Sequence, residues 1–162
     1  MSRTLIIAEA GVNHNCDFQT AIQLIEEAAK ANADFVKFQT FKTEKIVSKK
    51  AHQATYQIKN NKSTDVSQFA MLKNLEMPLE WYPLLKVHAD QCNIKFLSTA
   101  FDDESLIFLS SLRPSIYKIP SGEITNLPYL KQIASFNKPI VLSTGMSNLQ
   151  EVKSALDILT AK

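Results

Sequence analysis

The chain has 162 residues, 45% hydrophobic and 21% charged, an ordinary soluble globular composition large enough for one core. Its net charge of +2 is too small to argue for nucleic acid or a membrane surface as partner. Cys16 and Cys92 lie far apart without metal-ligand spacing, and the apolar run leading to Glu9 is only four residues long. The expectation is therefore a reduced, cytoplasmic protein with neither a signal peptide nor a transmembrane span.

In chain order, residues 5–10 read as a first strand, and Asp17 can cap a helix through Ala31. Ala21, Leu24, Ile25 and Ala28 form its inner stripe. Phe35–Thr40 is a second strand, followed by a long polar stretch over 41–66 and a helical piece at 67–75. A further helix over 78–91 carries the stripe Trp81, Leu84, Leu85 and His88, with Pro83 near its first turn, where it does least harm. His88 then reads as a core histidine. Residues 94–99 form the third strand, and Asp102 or Asp103 caps a helix through Leu112.

Residues 116–123 hold the fourth strand and its exit, and a helix from Asn126 turns Leu127, Leu130, Ile133 and Ala134 inward. Residues 139–143 form the fifth strand. Ser147-Asn148-Leu149-Gln150 has the form of a capping box, opening a helix with Val152, Ala155, Leu156 and Leu159 inward.

Gly11, Gly122 and Gly145, the three glycines, each follow an apolar run and precede a helical pattern, whereas helix exits use Asn32, Asn93 and Asn137. Five strand–helix units in succession predict an α/β fold with a parallel sheet and right-handed crossovers. No Gly-x-Gly-x-x-Gly fingerprint supports an open dinucleotide-binding sheet, and polar residues stand at every strand exit. A (β/α)8 TIM-barrel type fits better, since a barrel brings all strand exits to one centre. At about 31 residues per unit in such a barrel, the chain holds about five of eight units.

The densest chemistry lies at 116–123, where Lys118 interrupts an apolar strand before a Ser121-Gly122-Glu123 turn. Burying a lysine is costly unless something pairs with it, so the stretch reads as an anion site or as a Lys118–Glu123 pair closing a strand end. The strand exits together offer Glu9, Lys37, Gln39, Thr99, Lys118, Ser121, Glu123 and Ser143. Two cations with hydroxyls suit a phosphate or carboxylate, and the two carboxylates suit proton transfer or sugar hydroxyls.

Five motifs at these exits are similar to those of the sialic acid synthase family. They are Ala8-Glu9-Ala10-Gly11-Val12-Asn13-His14-Asn15, Val36-Lys37-Phe38-Gln39-Thr40, Leu97-Ser98-Thr99-Ala100-Phe101-Asp102, Lys118-Ile119-Pro120-Ser121-Gly122-Glu123 and Leu142-Ser143-Thr144-Gly145-Met146. The resemblance runs in order over nearly the whole chain. It implies condensation of phosphoenolpyruvate with an N-acyl hexosamine, such as N-acetylmannosamine or a 2,4-diacetamido analogue, to give a nonulosonic acid and phosphate. By motif, Lys37, Thr99, Lys118, Ser121 and Ser143 would hold phosphoenolpyruvate, Gln39 and Glu123 would contact the amino sugar, and Glu9 would handle protons. Glu9, Lys37 and Lys118 form the implied catalytic set. A sugar-contacting asparagine of the second βα loop would be Asn60 or Asn61.

The resemblance also implies a divalent metal (Mn2+ or Mg2+), a homodimer in the full-length form and an antifreeze-like domain after the barrel. The family's metal-binding histidines come from later strands, so residues 1–162 correspond to a partial barrel without units six to eight, without that domain and without metal ligands. Cys16 stands where the family commonly has glycine. Two other readings are a lysine Schiff-base aldolase, because Lys37 and Lys118 both sit on strands, and a non-catalytic fragment of a synthase.

Overall fold

A computed structural model of the chain describes residues 3–51 and 67–161. The strands are β1 (Ile7–Gly11), β2 (Phe35–Thr40), β3 (Lys95–Ala100), β4 (Tyr117–Ile119) and β5 (Ile140–Leu142). The helices are α1 (Phe18–Lys30), α2 (Thr43–Ile46), α3 (Gln68–Leu75), α4 (Trp81–Gln91), α5 (Asp103–Ser111), α6 (Leu127–Ser135) and α7 (Leu149–Thr160). A single 3-10 turn, Ser121–Glu123, follows β4.

Among the described residues the paired strands are parallel: β1–β2–β3 form one ladder and β4–β5 a second, with β4 packed against β3. The α/β alternation read from the sequence is present. A parallel sheet covered by helices needs strands apolar on both faces. In β2, Phe35, Val36 and Phe38 are accordingly buried, and Lys37 and Thr40 are buried with them.

Caps place the helix starts where short polar side chains stand. The Asp17 carboxylate accepts from Thr20 N at 2.6 Å, Asp102 accepts from Ser105 N at 2.8 Å, and Ser67 and Asn126 cap α3 and α6. The capping box of α7 lies one residue beyond its expected position. Asn148 is the cap, accepting from Gln150 N and Glu151 N, and Glu151 reaches back to Asn148 N at 2.8 Å. Glu151 wins over Gln150 because only the third helical position can return to the cap's own N–H. Asn32, Asn93 and Asn137 do adopt the left-handed conformation at helix exits, with φ of 58°, 57° and 51°, and so does Arg113 at 52°.

Three stripes differ from expectation. The buried face of α4 is Tyr82, Leu85 and Ala89, while Leu84 is 57% exposed. His88 is not in the core: its Nε2 lies 3.3 Å from Glu26 Oε1 and 3.7 Å from Cys92 Sγ. The helix is rotated because Tyr82 buries its whole ring and still satisfies its hydroxyl, which a leucine stripe gains nothing from. In α6, Tyr129 replaces Leu127, and in α7 Ala155 is buried while Leu156 stays exposed.

Candidate functional site

Residues from the C-terminal ends of β1, β2 and β3 and from the end of β4 meet at one rim. There an open cavity of about 370 Å³ is lined by Glu9, Lys37, Gln39, Thr99, Lys118, Ser121 and Ser143, together with Gly11, Val12, Asn13, Phe101 and Pro120. The strand-exit residues singled out in the sequence therefore converge, with one exception. Glu123 lies in a neighbouring cavity of about 490 Å³ with Lys45, Asp102, Asp103, Glu104 and Asn126, and Phe101 borders both spaces.

Alternation along β2 turns Lys37 and Gln39 to this cavity and Val36 and Phe38 to the core. Lys37 is buried and ion-paired with Glu9, whose side chain is half exposed. The pairing follows from register, since Glu9 and Lys37 are partners in the β1–β2 ladder. The ladder then slips between Glu9 and Gly11, and Gly11 takes φ of +56°. A Cβ at Gly11 would stand 3.3 Å from Glu9 Oε1 and 3.6 Å from Gln39 Nε2, so glycine serves both the turn and the close approach.

Lys118 does not pair with Glu123. Its ammonium donates to Ile119 O at 2.9 Å, while Glu123 accepts from Asn126 Nδ2 at 2.6 Å. Burial, and next the positive charge of Lys37, hold the pKa of Lys118 below the usual lysine value; Glu9 opposes them. Two cations crowded beside one carboxylate give the cavity an excess of positive charge that an anion relieves. Thr99 is 1% exposed, and its Oγ1 has no hydrogen-bond partner among the described residues. Ser121 comes from the 3-10 turn after β4, close to Gly145 at the β5 exit.

The loop after β1 divides its polar residues. Asn13 lines the cavity, whereas His14 is fully buried, packs near Phe38 and accepts the Cys16 N–H on Nδ1 at 3.0 Å. Burial lowers its pKa and keeps the ring neutral. Phe101 was not singled out in the sequence; its position directly after a strand exit is the signal that marks it. Asn60 and Asn61 lie outside the described residues.

The residues of the cavity do not suit a divalent cation. Its carboxylate, Glu9, is engaged by Lys37, and the other charged groups are ammonium ions. Among the described residues no three His, Cys, Asp or Glu side chains gather as a metal-ligand group.

Fold and site thus define a parallel α/β protein with a cationic, hydroxyl-bearing cavity at its strand exits. The chain belongs to the NeuB family, whose model matches residues 24–162. It is 57% identical over 159 residues to the N,N'-diacetyllegionaminic acid synthase of Campylobacter jejuni, covering 98% of this chain and 47% of that protein. The enzyme of the same name from Legionella pneumophila is 51% identical over 94% of this chain and 42% of its own length. Among solved structures, the N-acetylneuraminic acid synthetase of Leptospira borgpetersenii superposes with a TM-score of 0.81 at 30% identity, over 98% of this chain and 50% of that one. The chain spans about half the length of the curated relatives it matches.

Proposed function

We propose that this chain forms the phosphoenolpyruvate-holding part of a sialic-acid-type synthase, an enzyme that condenses phosphoenolpyruvate with an N-acyl amino sugar to a nonulosonic acid and phosphate. The observation that carries the reading is the meeting of Lys37, Lys118, Thr99, Ser121 and Ser143 in one cavity. Phosphoenolpyruvate carries a phosphate and a carboxylate, and two ammonium groups with three hydroxyls are the complement of both. The buried, unpaired Thr99 hydroxyl is a ready donor to such an anion. In this reading the five units belong to a (β/α)8 barrel of a cytoplasmic homodimer, with residues 1–162 as its N-terminal portion.

Glu9 lines the same cavity as the anion-binding side chains, and its half-exposed side chain is free enough to exchange its Lys37 partner for a proton. Gln39 beside it presents an amide to the sugar's hydroxyl or carbonyl groups. Glu123 would act on the sugar from the second cavity, across Phe101. The similarity to the two diacetyllegionaminic acid synthases favours a 2,4-diacetamido sugar over N-acetylmannosamine. A divalent metal is expected of such a synthase. The cavity does not fit one, so its ligands would come from outside these residues, and no step here is assigned to it.

Isothermal calorimetry with phosphoenolpyruvate, then phosphate release with each amino sugar, tests the proposal. Binding of phosphoenolpyruvate but not of pyruvate is the expected result. The depressed pKa of Lys118 is the one feature favouring a lysine Schiff-base aldolase instead. Borohydride trapping of pyruvate on Lys118, without phosphoenolpyruvate binding, would establish that alternative.

A further inference from the structure

We propose that Tyr82, on the outer helix α4, is a positioning residue that sets the direction of Gln39 into the cavity. The role rests on the proposed function for Gln39 as a sugar contact, while the geometry stands by itself. In a parallel sheet, the backbone groups of successive residues point to opposite neighbours. Thr40 O accepts from Phe101 N on the β3 side at 3.1 Å, so Gln39 O faces the β1 side. There β1 has no partner to give: its ladder with β2 slips at Glu9–Gly11 and ends at Phe38. The last β1-facing carbonyl of β2, that of Gln39, is thus left without a ladder partner.

Tyr82 OH donates to that carbonyl at 2.8 Å. The tyrosine is 1% exposed, and its ring is fixed edge-on by Phe96 and Phe108, at 6.3 and 5.5 Å between centroids. Phe96 in turn stacks on Phe38, the residue before Gln39. The hydroxyl has little freedom to move away, and burial raises its pKa, so it remains a donor. Without the bond, Thr40 stays held by β3 but the Gln39 carbonyl loses its anchor, so the Gln39 main chain can tilt and carry with it the side chain two bonds away. The same device recurs one strand on, where Tyr129 OH donates to Ala100 O at 2.9 Å, next to Thr99. In both cases the tyrosine stands in the first turn of its helix, which is the end facing the strand exits.

The test removes one oxygen. Tyr82→Phe keeps the ring and its packing, and Tyr117→Phe, a buried tyrosine stacked on Phe136, controls for loss of a phenol as such. In isotopically labelled full chain, the Gln39 side-chain amide resonance should shift in Tyr82→Phe and stay in place in Tyr117→Phe. In turnover by the full-length enzyme, Tyr82→Phe should raise the KM for the amino sugar about tenfold, with the KM for phosphoenolpyruvate changed less than about twofold. Gln39→Ala is run in parallel. An unmoved Gln39 resonance in Tyr82→Phe overturns the inference, as does an unchanged sugar KM where Gln39→Ala raises it. If Gln39→Ala itself leaves the sugar KM alone, the assignment of Gln39 to the sugar fails instead, and the resonance alone decides the positioning. Should Tyr82→Phe melt too low for turnover assays, the Gln39 resonance is read below its melting temperature and decides the positioning by itself.

Discussion

Lys118→Met offers the sharpest check on the anion site, because it should weaken binding while leaving the fold intact or better. The wild-type ammonium is partly buried, makes one bond to Ile119 O and lies close enough to Lys37 for that charge to lower its pKa. A hydrogen bond to a charged group contributes about 1.5–3 kcal/mol. Its loss should raise the Kd for phosphoenolpyruvate by about 10- to 150-fold in calorimetry. Lys153→Met, on an exposed position of α7, should leave the Kd where it was. The Lys118 loss should persist at high salt, since a desolvated contact is screened little.

Stability should move the other way. Lys118 has a lower pKa in the folded chain than the 10.5 of an ordinary lysine, so between those values the unfolded chain holds more protons. The contribution of Lys118 to the unfolding free energy must then rise with pH across that window, so the stability difference between wild type and Lys118→Met should change in favour of the wild type as pH rises. Melting curves recorded from neutral pH to 10.5 read this directly. Equal loss of affinity in Lys118→Met and Lys153→Met, or a stability difference between wild type and Lys118→Met that does not change with pH, would refute the reasoning.

Glu9→Gln should change the melting free energy by less than about 1 kcal/mol, because the Glu9 side chain is 52% exposed and such pairs contribute little. Turnover of the full-length enzyme should nonetheless fall by about 10²–10⁴, the usual size of a proton-transfer contribution. A near-wild-type rate would make Glu9 structural. Gly11→Ala forces a side chain to φ of +56° and puts its Cβ 3.3 Å from the Glu9 carboxylate. A loss of about 1–2 kcal/mol in urea melts is expected, and a loss within experimental error would mean the turn relaxes. Asn148→Ala removes the acceptor for two backbone N–H groups and half of the α7 capping box. It should cost about 1 kcal/mol and leave phosphoenolpyruvate affinity unchanged.

The strand exits were legible because their pattern is local. A lysine inside an apolar run, a glycine after it and a cap before the next helix can be read without knowing any neighbour. Alternation alone placed Lys37 and Gln39 on one face, and the asparagines at helix exits did take the left-handed conformation expected of them. What could not be read is whatever depends on a partner from another unit. The stripe of α4 turned on whether Tyr82 or Leu84 faced the sheet, and that was decided by a carbonyl on β2. His88 left the core because Glu26, on α1, stands across from it.

The same division runs through the site. Sequence by itself determined which residues end the strands, since a short apolar run stops where its own residues turn polar or reach a glycine, whatever its neighbours in space. Only the tertiary structure decided that Lys37 pairs with Glu9 through strand register, that Lys118 faces Lys37 rather than Glu123, and that Phe101 parts Glu123 from the rest. Register and side-chain pairing are set by the packing of distant segments, and no spacing along one strand contains them.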